Sequence, residues 1–129
     1  MFLSGAILDG GGQHEGEGEP SVDYTQVEFS VSNWIGYPEE VPTATGPMRV
    51  VEGEEYRINR KLANRSNEKS HRDDPSLEGK HIHEIKPVKL GGSPTDPANK
   101  LAVSVDLHMR LNKWWAKLLK EITDTRKSP

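Results

Sequence analysis

The stretch that most constrains the fold is residues 81–112, which reads as a hairpin of two short strands followed by a helix. β-Branched residues favour extended structure over residues 81–90, and Pro87 marks an edge or a bend in that strand. Residues 91–97 begin with two glycines and contain two prolines, which is typical of a turn. Residues 101–103 then read as a short returning strand. Together these segments predict an antiparallel hairpin.

A helix is predicted to follow this hairpin and to end near Thr123. Ser104 is a suitable N-cap, and Asp106 lies in the first turn, where the helix dipole favours a negative charge. Apolar residues then recur at helical spacing and form one stripe, which consists of Leu107, Leu111, Trp114 or Trp115, Leu118 and Ile122. We interpret the adjacent tryptophans as packing anchors rather than as a surface for stacking bases.

Imidazole and amide side chains occur at positions of this hairpin and helix that can converge. Residues two apart on a strand face the same way, so His81 and His83 share a face and Glu84 takes the opposite one. His108 and Asn112 are four residues apart and share a helix face. A helix that folds back on the hairpin brings His83 near both of them. One imidazole from the strand and two ligands from the helix suit a divalent ion with open positions for phosphate and water.

A second helix is predicted ahead of the hairpin, over residues 56–69. Glu54 and Glu55 lie near its start, where the helix dipole favours negative charge. Ile58 and Leu62 are four residues apart and define its apolar face, while its remaining surface is largely basic. Two asparagines are expected to weaken its later turns.

Residues 1–46 differ in composition from the rest and are predicted to be a separate acidic, Gly/Pro-rich segment, a linker or weakly ordered. Residues 9–21 are mostly glycine and glutamate, so we expect a flexible acidic linker in which His14 is solvated. Residues 22–31 alternate roughly between apolar and polar types, which predicts one or two short strands. Two aromatic residues farther on can pin the irregular chain to a core. Residues 47–129 would be the folded domain.

Charge is distributed unevenly along the chain. Residues 1–55 contain 11 acidic side chains and a single basic one, whereas residues 56–129 contain 16 basic and 9 acidic ones, a balance of +7. A basic half attracts polyanions such as nucleic acid, although a solvated Lys/Arg surface has the same composition. The absence of cysteine excludes disulfides and thiolate metal sites. No apolar run is long enough to span a membrane, and we expect no signal peptide.

The order and spacing of these residues resemble those of the HNH, or ββα-metal, nucleases. The matching residues are the segment His83-Glu84-Ile85-Lys86-Pro87, the pair Gly91-Gly92, and then Asn99, His108 and Asn112. The likeness is strongest to the nuclease domains of bacterial colicin-type and polymorphic toxins and extends over about residues 47–122. It implies an α+β fold with a ββα-metal core of hairpin plus helix, an extra preceding helix and an irregular, partly extended N-terminal segment.

The resemblance also implies a role for each matching side chain. His83, His108 and Asn112 would hold one divalent ion, which in this family could be Mg²⁺, Mn²⁺, Ni²⁺ or Zn²⁺. Asn99 would be the structural amide that holds the loop between the strands and so orients the general base. These assignments come from the family pattern, and the positions of the residues in space decide whether they are feasible.

The chain departs from the family pattern at one position. Glu84 stands where the commonest pattern has the histidine that deprotonates the attacking water. Because an ordinary Glu pKa is roughly 4.3, a carboxylate is a weaker base than imidazole unless its surroundings raise that pKa. Three alternatives follow: Glu84 is the base, His81 replaces it from the metal-facing side, or the hydrolytic step is impaired. We expect Glu84 to function within the site.

The leading hypothesis is a toxin-type, metal-dependent endonuclease that hydrolyses DNA phosphodiester bonds with low sequence specificity. The phosphates would be met by six basic side chains, which are Arg57, Arg60, Arg65, Lys86, Lys89 and Arg110. Such a toxin is secreted by a specialised system, acts in the cytoplasm of a target cell, and requires a cognate immunity protein in the producing cell. The alternative is a catalytically degenerate HNH-fold module that binds nucleic acid. A third hypothesis is a small protein with a structural metal or none.

Overall fold

The computed structural model describes residues 6–8 and 23–127 and has a mixed α+β fold, which confirms that part of the prediction. The strands are β1 (Ala6–Leu8), β2 (Phe29–Val31), β3 (His81–Glu84) and β4 (Lys100–Val103), and the helices are α1 (Gly53–Asp73) and α2 (Val105–Lys127). Short 3₁₀ turns lie at Pro75–Leu77, Val88–Leu90 and Pro97–Asn99. The predicted linker at residues 9–21, with His14, lies outside the described residues. Within the described ranges, neither helix has the length and apolar character to cross a membrane.

The predicted hairpin is present, but its first strand is shorter than expected. β3 and β4 are antiparallel, and Glu84 lies directly opposite Lys100. β3 ends at Glu84, after which the N–H of Lys86 donates to the side-chain oxygen of Asn99 at 2.8 Å and Pro87 has no N–H to donate. The chain then forms a 3₁₀ turn that ends at Gly91, whose φ of +93° is readily adopted by glycine alone.

α2 follows β4 almost directly and contributes a continuous stripe to the core. Ser104 caps the helix as predicted, since its Oγ accepts a hydrogen bond from the backbone N–H of Leu107 at 3.1 Å. The predicted apolar stripe is confirmed, with Leu111, Trp115, Leu118 and Ile122 inside the core and Leu107 and Trp114 packed at its edge. The position of α2, and with it the position of His108, is therefore fixed by apolar burial.

α1 is longer than predicted and lacks the predicted apolar face. Ile58 and Leu62 are exposed, and Ala63 is the buried residue of this helix. The helix continues past residue 69 to Asp73, and the side chain of Asn67 binds Glu84 and Lys100 of the hairpin. The face of α1 that is turned to the hairpin is polar and consists of Tyr56, Arg60, Asn64 and Asn67. Hydrophobic periodicity could not indicate this face, since its partners are polar.

Residues 23–50 pack into the same core as α2. Tyr24, Phe29 and Met48 are buried, and Phe29 exchanges two backbone hydrogen bonds with Met48, at 2.9 and 2.7 Å. Within the described part of the predicted strand region 22–31, the strand is β2, and it pairs with β1 in an antiparallel sheet. Phe29 of β2 lies in the hydrophobic core, and Val31 packs against that core.

The Pro- and Gly-rich chain that follows β2 is pinned to α2 by aromatic side chains, as predicted. Trp34 lies flat on Trp114, with ring centroids 5.1 Å apart, and Tyr37 packs edge-on against both rings. One hydrophobic core therefore extends across residue 46. A division of the chain into two segments at that residue stays a prediction.

Candidate functional site

A cavity of about 450 Å³ opens between α1, β3 and α2. Its wall contains Arg60 from α1, His83 and Glu84 from β3, and His108 and Asn112 from α2. The sequence analysis singled out all of these side chains, and the fold places them around one cavity. Because adjacent strand residues point to opposite sides, His83 contacts the ring of His108 on α2 while Glu84 contacts Arg60 on α1.

His83 is a buried imidazole, and one of its nitrogens forms no hydrogen bond with any described residue. The residue is 3% exposed, and its Nε2 has no hydrogen-bond partner among the described residues. Burial lowers the pKa of His83 to about 4, and the charge of His108 lowers it as well, against the opposing effect of Glu84. The ring is therefore neutral at neutral pH, which is the form that binds a metal ion.

His108 and His81 contact each other beside the cavity. Their Nδ1 atoms are 2.7 Å apart, and the two rings are nearly perpendicular. One Nδ1 must donate and the other must accept, so at least one of the two rings is neutral. Burial lowers the pKa of His108, and the charge of His81 lowers it further. Since its Nδ1 is engaged, His108 presents Nε2 to any additional partner.

Glu84 is a buried carboxylate bound by three donors. Its Oε2 accepts hydrogen bonds from Asn67 at 3.1 Å and from Lys100 at 2.9 Å, and its Oε1 accepts one from Arg60 at 3.4 Å. Burial raises the pKa of Glu84, but these hydrogen bonds and positive charges outweigh burial and leave the pKa below its ordinary value. Glu84 is thus ionised and its oxygens are occupied, which does not suit a base that must remove a proton from water.

Sequence reasoning did not single out two of these partners, Asn67 and Lys100, as site residues. The pairing of the two strands could have indicated Lys100, because Lys100 lies directly opposite Glu84 and opposite charges at paired positions attract each other. Lys100 also donates to the side-chain oxygen of Asn67 at 2.8 Å, so the three side chains form one cluster. For Asn67 the sequence offers no signal, since its role depends on how α1 lies against the hairpin.

Asn99 joins the two ends of the loop between β3 and β4. Its Oδ1 accepts from the backbone N–H of Lys86 at 2.8 Å, and its Nδ2 donates to the carbonyl oxygens of Lys86 and Ser93, both at 3.0 Å. Gly92 lies so close that a Cβ on it would be 1.7 Å from the carbonyl oxygen of Lys86. The Asn99 amide therefore closes the loop, while its predicted effect on a general base stays a prediction.

The six basic side chains predicted to meet phosphate are divided between several places. Arg60 and Lys89 line the cavity, and the ammonium of Lys89 lies 4.8 Å from the centroid of the Tyr56 ring. Lys86 instead donates to the carbonyl oxygen of Pro47 at 3.0 Å and lines a second cavity beside the loop. The cavity between the helices is therefore lined by two of the six predicted cations.

The other three predicted cations lie away from the wall of this cavity. Arg110 is on the far side of α2, where it donates to Glu40 at 3.0 Å. Arg57 forms an ion pair with Glu54 on the exposed surface of α1, and Arg65 is exposed on the same helix. The sequence could not show that Arg60 lines the cavity and these three residues do not, because polar contacts, rather than a pattern of apolar residues, decide which face of α1 is turned inward.

The predicted metal ligands form a small donor set. Among the residues that the structure describes, no group of three or more His, Cys, Asp or Glu side chains is placed to hold a metal ion. The predicted set instead consists of the imidazoles of His83 and His108 and the exposed amide of Asn112. Imidazole ligands suit Zn²⁺ and Ni²⁺. The unpartnered Nε2 of His83 is the feature of this structure that fits such an ion.

The nuclease resemblance rests on the motif residues alone. Comparison of the chain with protein-family models, with curated proteins and with solved structures gives no match in any of the three. Any function for this cavity therefore has to be argued from its own side chains, charges and distances.

Proposed function

We propose that this chain is a metal-dependent endonuclease that hydrolyses DNA phosphodiester bonds, built on a ββα-metal arrangement of β3, β4 and α2. The proposal depends above all on the unpartnered Nε2 of His83 at a cavity that His108, Asn112 and two cationic side chains also line. A buried polar atom without a partner is rare in native proteins and destabilises the fold. A ligand that binds this nitrogen accounts for its presence there.

His83, His108 and Asn112 would hold the divalent ion. When bound, such an ion supplies a Lewis acid for phosphoryl oxygens and for the departing oxygen. The lowered pKa values of His83 and His108 keep both imidazoles in the neutral, ligand form at neutral pH. His81 contacts the Nδ1 of His108 and so orients that ring, as the outer hydrogen-bond partner of a metal-binding histidine commonly does.

Arg60 and Lys89 are the side chains that would bind phosphate oxygens at this cavity. Guanidinium and ammonium groups form short, charge-assisted hydrogen bonds with phosphate. Glu84 helps to place Arg60, because its Oε1 lies 3.4 Å from the guanidinium. The face of the Tyr56 ring holds Lys89 beside the cavity. Glu84 thus acts in this proposal as an ionised anchor between the hairpin and α1.

His81 is the side chain that would accept the proton of the attacking water. It is exposed and lies on the same face of β3 as His83. Because His108 would hold the ion through Nε2, its Nδ1–H would donate to the Nδ1 of His81, so His81 would have to separate from His108 before its Nδ1 accepts the proton. Glu84, the base expected from the family position, has three donors on its carboxylate. The geometry thus favours His81 among the alternatives that the sequence leaves open.

DNA is proposed as the substrate because residues 56–129 carry a formal net charge of +7, from 16 basic and 9 acidic side chains. We expect little sequence specificity, since phosphate contacts position a protein on DNA without reading bases. The proposal includes the delivery of a toxin-type nuclease into the cytoplasm of a target cell. It also includes a cognate immunity protein in the cell that produces it.

The first test is cleavage of plasmid DNA by the purified chain with Mg²⁺, Mn²⁺, Ni²⁺ or Zn²⁺ added singly. We expect nicking or linearisation that requires an ion and is lost in His108→Ala. His71→Ala is the matched control, since His71 lies near the end of α1 and outside the cavity wall. Titration calorimetry with the ion alone, on the wild type and on His83→Ala, measures binding independently of cleavage. Equal cleavage by the wild type and His108→Ala would refute the proposal.

A second test separates the two candidate bases. His81→Ala should reduce cleavage much more than Glu84→Gln, which keeps the shape of the side chain and two of its acceptor lone pairs. The engaged carboxylate of Glu84 also favours the alternative function, a degenerate module that binds nucleic acid without turnover. That alternative predicts DNA binding by the wild type without cleavage in any of the four ions.

A further inference from the structure

Part of the cavity wall between the two helices has no role in the phosphate chemistry proposed above. This part consists of four apolar or aromatic side chains that are partly exposed, which are Tyr56, Ile82, Pro87 and Leu119. Because phosphate oxygens bind to charged and polar groups, phosphate alone would leave this surface unused. The buried, unpartnered Nε2 of His83 in the same wall already points to a ligand here. A ligand that joins a phosphate to a larger apolar or aromatic group would use both parts of the wall.

Tyr56 places an aromatic ring beside the two cations of this cavity. The ammonium of Lys89 lies 4.8 Å from the centroid of that ring. Arg60 is four positions after Tyr56 on α1, so the ring and the guanidinium share a helix face. The guanidinium has five N–H donors, more than its 3.4 Å bond with Glu84 uses. An aromatic ring beside cations is the combination with which proteins bind single-stranded nucleic acid, since the cations attract the backbone and a base stacks on the ring.

Paired and unpaired DNA differ in what they can offer to this cavity. In a duplex the faces of each base are covered by neighbouring base pairs, and the base edges are what the grooves expose. Double-stranded DNA could therefore bring a phosphate to Arg60 but no base face to Tyr56, whereas an unpaired nucleotide offers both. The volume of the cavity, about 450 Å³, is within the range of about 300–1,000 Å³ in which proteins hold single small ligands.

We propose that this cavity receives one unpaired nucleotide of single-stranded DNA. The base of that nucleotide stacks on the Tyr56 ring, and its phosphate binds Arg60 and Lys89. The inference rests on the proposed function, because it specifies the form of DNA on which that site acts. Stacking on a ring tolerates every base, which agrees with the low sequence specificity proposed above. A negatively supercoiled plasmid remains a substrate, because its strands separate locally.

The first test is equilibrium binding in the presence of EDTA, which prevents metal-dependent cleavage. Fluorescence anisotropy compares a labelled single strand of DNA with the same sequence as a duplex. Charge alone favours the duplex, since a duplex carries about twice as many phosphates per unit length as one strand. We expect the opposite order, with a dissociation constant at least about tenfold lower for the single strand. Tighter binding of the duplex would overturn the proposal.

Substitution of Tyr56 tests the stacking contact itself. Tyr56→Leu keeps an apolar side chain without the ring and should weaken single-strand binding by more than about fivefold, while duplex binding stays unchanged. Tyr56→Phe is the matched control, because it keeps the ring and should bind the single strand as the wild type does. Single-strand binding that Tyr56→Leu leaves intact would overturn the proposal.

Cleavage of the same two DNA forms separates this inference from the proposed function. With an ion that supports activity, we expect the single strand to be cut at least about tenfold faster than the duplex, and we expect Tyr56→Leu to remove most of that difference. Equal rates for the two forms would overturn the inference and leave the nuclease intact. No cleavage of either form in any of the four ions would refute the nuclease, while binding in EDTA that depends on Tyr56 would still support the unpaired nucleotide as the ligand.

Discussion

The two long helices are similar in length, at 21 and 23 residues, but they are held by different forces. α2 buries a stripe of large apolar side chains, whereas the buried residue of α1 is Ala63. α1 is attached to the hairpin by the cluster of Glu84, Asn67 and Lys100. The cavity thus lies between a wall fixed by the hydrophobic core and a wall fixed by charge. Adjacent residues of β3 face the two walls, His83 towards α2 and Glu84 towards α1.

The largest effect is expected from truncation on α2. Leu111 is 0% exposed, so Leu111→Ala should lower the free energy of unfolding by roughly 4 kcal/mol. Leu62→Ala on α1 should change it by less than about 0.5 kcal/mol, because Leu62 is exposed. Urea denaturation of both variants measures the difference. Similar losses in the two variants would mean that α1 is also held by apolar burial.

The next largest effect is expected in the ionic cluster. Lys100→Ala leaves the buried carboxylate of Glu84 without its nearest cation and should lower the free energy of unfolding by about 3 kcal/mol. Adding Glu84→Gln to Lys100→Ala should restore part of that loss, since the uncompensated charge is removed. Denaturation of the two single variants and the double variant tests this coupling. Strict additivity of the two changes would argue against an ionic contact between Lys100 and Glu84.

Acid should weaken the two sides of β3 in different pH ranges. In the unfolded chain His83 is protonated below its ordinary pKa of 6.5, whereas in the folded chain it stays neutral down to about pH 4. Folding stability therefore decreases as the pH falls through this interval. The expected loss is roughly 2 kcal/mol by about pH 5. Glu84 has a lowered pKa, so its contribution is present above its ordinary 4.5 and is lost only below that pH.

Thermal denaturation as a function of pH measures this order. His83→Asn should flatten the dependence of stability on pH between about pH 7 and about pH 5. His71→Asn, at an exposed position on α1, should leave the dependence unchanged. An unchanged slope in His83→Asn would show that burial of this imidazole does not govern the acid response. His108, whose pKa is also lowered, would contribute in the same direction.

The smallest effect is expected from one hydrogen-bonding side chain of α1. Asn67→Ala removes a donor to Glu84 and an acceptor for Lys100 and should lower stability by about 1.5 kcal/mol. The more informative measurement is amide hydrogen exchange. Exchange should accelerate in α1 and stay unchanged in the middle of α2, because only α1 depends on this contact. Equal acceleration in both helices would show that they open as one unit.

The features that the sequence predicted are those that depend on local periodicity. The stripe on α2, its Ser104 cap and the hairpin follow from patterns within one element, and the structure contains them. The inward face of α1 could not be predicted in this way, because Asn67 binds side chains from another element. The lack of a hydrogen-bond partner for His83 Nε2 could not be predicted either, because it depends on the tertiary packing around that atom. Sequence alone thus identified six of the side chains that line the cavity but not the contacts that decide their chemistry.

The closed loop between the strands fixes the register in which β3 pairs with β4. Gly92 and Asn99 clamp Lys86 on both sides, and no space remains there for even one methyl group. A slip of one residue in the pairing of β3 with β4 would turn His83 towards α1 and Glu84 towards α2. A carboxylate would then meet the neutral imidazole of α2, and an imidazole would meet the cations beside α1. An insertion or deletion that shifts this register would therefore exchange the side chains that face the two helices.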